Sequence, residues 1–112
     1  MIGDPPEEIY YQNPGELVSD LKRYLPVAIR ELKDPIEKAS TRAQMQQTIG
    51  NLAHSAGLFK DAETFLRDSS RGFQRLGMRA QEIGALQSLK ATYLAQNKKA
   101  AAKKISQMLD RI

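Results

Sequence analysis

The chain has 112 residues, no cysteine and a net charge of +4, with 41% hydrophobic residues, which is room for one domain of ordinary size. The missing cysteine excludes disulfides, thiolate metal sites and a thiol nucleophile. No apolar run approaches the roughly 20 residues of a membrane span, and the opening "MIGDPPEEIYYQ" is acidic and prolyl rather than signal-like, so a cytoplasmic location is expected.

Residues 1–12 hold Pro5, Pro6 and three acids with little to bury, which predicts a flexible acidic arm, with Tyr10 and Tyr11 as candidate anchors. A first helix then opens at "NPGE" and extends over 13–33. Asn13 is the N-cap, Pro14 sits in the first turn and Glu16 is placed to complete a capping box. Its apolar stripe is expected at Leu17, Leu21, Tyr24, Leu25, Ala28 and Leu32. Pro26 interrupts that stripe and predicts a kink or two short helices.

The start signal recurs at "DPIE", with Asp34 as cap, Pro35 in the first turn and Glu37 three residues on. The helix it opens carries Met45, Ile49, Leu52, Ala53 and Ala56 and ends at Gly57. The next places Ala62, Phe65, Leu66, Ser69, Phe73 and Leu76 on one side and ends at Gly77. A fourth shows Ile83, Leu86, Leu89 and Tyr93, fading at Gln96–Asn97; a fifth shows Ala101, Ile105, Met108, Leu109 and Ile112. No segment alternates as a strand would, so the expected fold is all-α, with short links forcing antiparallel neighbours.

The chain also repeats itself. Setting Gly57 over Asn97 brings Ala62 over Ala102, Phe65 over Ile105, Ile49 over Leu89 and Ala53 over Tyr93. One helix hairpin cannot bury its apolar faces alone, so two such hairpins, 35–76 and 79–112, are expected to stack on each other. "IGNLAHSAGLFKDA" at 49–62 resembles the tetratricopeptide repeats: apolar Ile49 before small Gly50, a Gly57–Phe59 turn, small Ala62, then aromatic Phe65. The resemblance covers residues 36–112 and implies a right-handed superhelix of helix pairs with the N-terminal helix as an extra element. Two features depart from the family pattern. The period is forty residues, like the longer-helix subtype of kinesin light chains and bacterial regulators, and "RLGM" stands where a proline commonly ends the motif. HEAT-like and other right-handed helical repeats remain open.

Catalytic groups are scarce. His54 is the sole histidine, and its sequence neighbour Ser55 points about 100° away on a helix. There is no glycine-rich phosphate loop and no metal-ligand spacing, so a non-enzymatic protein without cofactor or metal is expected.

The tetratricopeptide resemblance implies a concave groove lined by the first helix of each pair. Candidate protein-binding residues there are Gln44, Gln47, Asn51 and His54 on one helix and Gln87 and Ser88 on its counterpart. Asn51 falls where peptide-binding members grip a backbone or terminal carboxylate, but Gln44, Gln47, Thr48 and Ser88 occupy the positions of the clamp's basic residues. Amide pairing with an extended or helical peptide of a partner protein is the mode that remains.

Charge is asymmetric. Residues 1–20 hold five acids and no base, whereas 90–112 hold six bases against Asp110. Lys98, Lys99, Lys103 and Lys104 form a candidate basic patch, and a nucleic-acid-associated basic domain is the alternative reading. No arginine cluster or exposed aromatic accompanies these lysines, which disfavours base readout. Fewer than three full repeats leave one end of the array open, so self-association within a larger regulator is a further expectation.

Overall fold

A computed structural model describes residues 13–112; the expected acidic arm at 1–12, with Tyr10 and Tyr11, lies outside the described residues. The described residues form five helices in order: α1 Pro14–Arg30, α2 Pro35–Ser55, α3 Phe59–Arg75, α4 Arg79–Ala95 and α5 Lys99–Asp110. The described residues contain no strand, and the fold they form is all-α.

The first two helices start on side-chain caps. Asn13 Oδ1 accepts from the Gly15 N–H at 2.8 Å and Asp34 Oδ1 from the Ile36 N–H at 3.2 Å. Each bond goes to the second helical residue rather than to Glu16 or Glu37, so the proline in the first turn and the cap side chain define the start. Helix α1 runs unbroken through Pro26 rather than splitting in two. Pro26 lies on the exposed side, where water can take the hydrogen bond that its missing N–H denies to the preceding turn.

The other three helices share one turn. Gly57, Gly77 and Asn97 all adopt left-handed backbone, at φ +77°, +69° and +61°. In each case the next N–H reaches back to the carbonyl five residues earlier: Leu58 to Ala53 at 2.8 Å, Met78 to Phe73 at 2.9 Å, Lys98 to Tyr93 at 2.9 Å. These are Schellman closures that satisfy carbonyls orphaned at a helix end. The residues that follow, Leu58, Met78 and Lys98, start the next helix without any side-chain cap. The forty-residue repeat thus resolves into two equal steps of twenty, each a 17-residue helix and a three-residue turn.

Consecutive helices pack against each other throughout, and α2 and α4 are the only non-consecutive pair whose backbones come close among the described residues. Small residues set the α2/α3 approach, with Gly50 against Leu66 and Ala43 against Gly72. The main core runs from Val18 through Ile49, Leu66, Leu86 and Leu89 to Ile105. A second cluster seats Phe73 between Ala43 of α2 and Ala85 of α4, joining three helices. Burying such a phenylalanine fully contributes about 1.5–3 kcal/mol. The molecule measures 57 × 39 × 19 Å, and the shortest dimension is two helix diameters.

Burial corrects the stripe expected on α1. Val18 and Ile29 are its buried residues, while Tyr24 is 56% exposed. Met108 of α5 is likewise exposed at 43%. Both lie on the outer helices of the described residues, each with a single backbone neighbour among them, so the covered stripe is narrower than the apolar pattern. Val18 joins the main core, and Lys22 Nζ of the same helix meets Asp61 Oδ1 of α3 at 3.3 Å.

Candidate functional site

α2 and α4 approach each other, and two residues of the α2 amide stripe, Gln47 and His54, reach α4 there. At one contact Gln47 Nε2 lies over Gly84, 3.3 Å from where a Cβ would stand. At the other, His54 Nδ1 is 2.9 Å from Thr92 Oγ1. Thr92 Oγ1 itself donates to the Ser88 carbonyl at 2.9 Å. With that proton assigned to the Ser88 carbonyl, the pairing calls for the tautomer in which His54 donates from Nδ1–H. Phe59 holds the ring edge-on at a centroid distance of 5.6 Å.

The six expected groove residues thus divide into two kinds. Gln47, His54 and Ser88 are half-buried where α2 meets α4, whereas Gln44, Asn51 and Gln87 are exposed. Gln44 spends its Nε2–H on Ser40 Oγ at 3.1 Å. Asn51 and Gln87 present their amides outward, with donors and acceptors available to a guest. The sequence reading assigned no role to Thr92 and Gly84, which complete the contact. Thr92 is a fully buried hydroxyl between Leu89 and Tyr93, and a polar side chain inside an apolar stripe was the available signal.

The four lysines of the expected basic patch differ in their partners. Lys98 Nζ lies 2.7 Å from Glu63 Oε2, while Lys99, Lys103 and Lys104 are exposed on α5. Gln96 Nε2 donates to the same carboxylate at 2.6 Å, and Arg67 stands 3.8 Å from its other oxygen. Arg67 also donates to the Tyr93 hydroxyl at 2.9 Å. Burial pushes the Glu63 carboxyl up, but the Lys98 and Gln96 hydrogen bonds and the charges of Lys98 and Arg67 outweigh it and hold the pKa below the ordinary value. This cluster clasps α3 to the α4–α5 turn.

Among the described residues no helix is long and apolar enough to cross a membrane. In comparison with known proteins, no family model, no curated protein and no solved structure matches the chain.

Proposed function

We propose that the chain is a tetratricopeptide-like protein-interaction module that holds an extended or helical peptide of a partner protein along the α2/α4 face. The observation that carries this reading is the asymmetry of the helix pairs. The first helices, α2 and α4, touch, whereas the second helices, α3 and α5, do not approach through their backbones. Stacked hairpins that close on one side and spread on the other curve, and curvature in a consistent sense is what makes a solenoid with a trough. The 19 Å thickness supports an open two-layer array over a closed bundle.

Within that trough Asn51 and Gln87 are the contact residues, and Gln47, His54 and Ser88 form its floor. The reading is non-enzymatic: the sole histidine uses one nitrogen to join two helices. The nucleic-acid alternative rests on four lysines, one of which is spent on Glu63.

A peptide array probed with the wild-type protein and with an Asn51→Ala/Gln87→Ala variant of unchanged helicity tests the reading. The wild type should select a class of peptides that the variant loses, with binding that persists as salt rises. Equal selection by both proteins, or binding only to nucleic acid with a steep salt dependence, would overturn it.

A further inference from the structure

On the other side of α2, roughly 140° around the helix from Gln47 and Asn51 at 100° per residue, a cleft opens between α1, α2 and α3. It comprises two adjoining cavities of about 250 and 330 Å³ that share Arg42 and Gln46. Arg71 and Arg75 of α3 line the first, Arg30 and Lys38 the second. Among the described residues that line the two cavities, one acid, Asp68, stands against these five cations. Among the described residues, none of the five has a carboxylate within ion-pair distance, whereas Lys22, Arg23, Arg67 and Lys98 all do.

Like charges gathered without counter-charge destabilise the fold they sit on, and an anionic guest relieves that cost. We propose that this cleft binds an acidic peptide segment of a partner protein, with Arg42, Arg71 and Arg75 taking its carboxylates. Three features select a peptide over other anions. Arginine forks pair with carboxylates through two parallel N–H donors, which is stronger and more directional than a lysine contact. The floor between the arginines is Ala39, Ala43 and Gly72, apolar and small, which suits aliphatic stems rather than a hydrated polyphosphate. Among the described residues no aromatic side chain lines either cavity, so they offer no platform for stacking bases. Gln46 supplies an amide to the peptide backbone and Asp68 an acceptor for its N–H groups. The site is independent of the α2/α4 face and stands whether or not that face binds anything.

The test is fluorescence anisotropy on the full chain with a labelled glutamate-rich peptide, using a single-stranded oligonucleotide and inorganic phosphate as competitors. Arg42→Ala/Arg71→Ala/Arg75→Ala should weaken peptide binding by about tenfold or more. The matched charge control, Lys99→Ala/Lys103→Ala/Lys104→Ala, should change it by less than about twofold, and the triple Arg→Lys variant should lose most of the affinity because the forks are gone. Equal losses in the arginine and lysine variants, full retention by the Arg→Lys variant, or displacement of the peptide by the oligonucleotide or by phosphate at equal concentration would each overturn the proposal. So would about tenfold tighter binding after neutralising Asp4, Glu7 and Glu8, which would make the chain's own acidic residues the occupant in place of a partner.

Discussion

Gly50 of α2 and Leu66 of α3 are packed so closely that a methyl group on Gly50 would stand 2.6 Å from Leu66 Cγ and 3.2 Å from the Leu66 backbone nitrogen. No rotamer change of Leu66 removes the second clash, so the helices themselves must separate. Gly84 of α4 differs, since among the described residues its one close neighbour is the movable end of Gln47 at 3.3 Å. Alanine in place of a helical glycine is worth roughly 0.5–1 kcal/mol by itself, and overpacking a close approach costs about 1–3 kcal/mol. Gly50→Ala should therefore lower the urea midpoint and Gly84→Ala should leave it unchanged or raise it. A Gly50→Ala protein as stable as wild type would show that α3 can move aside without loss.

The three left-handed turn residues allow a second comparison. Among the described residues nothing lies within 4 Å of a Cβ added at Gly57, so Gly57→Ala costs the backbone conformation, about 1–2 kcal/mol. Asn97 already bears part of that cost at φ +61°. Asn97→Ala should be milder than Gly57→Ala, and Asn97→Gly should be neutral or slightly stabilising. Thermal midpoints of the three variants at one pH would rank them.

The Glu63 cluster makes stability depend on acid. Its folded pKa is depressed, so the stabilisation it provides is fully present above the ordinary carboxylate value and is lost as pH falls through the folded pKa. Lys98 is half-exposed and screened, which keeps the effect near about 1 kcal/mol. Glu63→Gln should lower stability at neutral pH and flatten the fall in stability below about pH 4.5. An unchanged acid limb in the Gln variant would remove Glu63 from the account.

The caps at Asn13 and Asp34 and the breaks at Gly57, Gly77 and Asn97 were legible because each depends on local backbone chemistry. The cores of α3 and α4 were legible because those helices have neighbours on both sides, so every apolar residue of the stripe is covered. The α1 stripe misled for the opposite reason: Tyr24 and Leu25 share a pattern, but the single backbone neighbour of α1 covers only part of it. The Lys98–Glu63 pair and the cleft of Arg42, Arg71 and Arg75 join residues roughly thirty positions apart, and no periodicity reports such a meeting. Only spacings within one helix, Lys38 to Arg42 and Arg71 to Arg75, were visible parts of that cleft.

The bond between His54 and Thr92 is the feature most easily mistaken for a binding contact. Loss of peptide binding in His54→Ala would follow equally from a lost contact or from α2 and α4 drifting apart. Thr92→Val separates the two, because Thr92 is fully buried and touches no guest. The valine keeps the volume but leaves the Nδ1–H of His54 without its acceptor, a cost of about 1–3 kcal/mol. Thr92→Val combined with His54→Phe removes both polar partners and should recover much of that stability, so the two changes should be non-additive in a double-mutant cycle. In the wild type, nitrogen-15 NMR should find the neutral ring protonated at Nδ1. Additive stability effects together with an Nδ1-unprotonated ring would mean that the hydrogen bond does not hold the two helices in register.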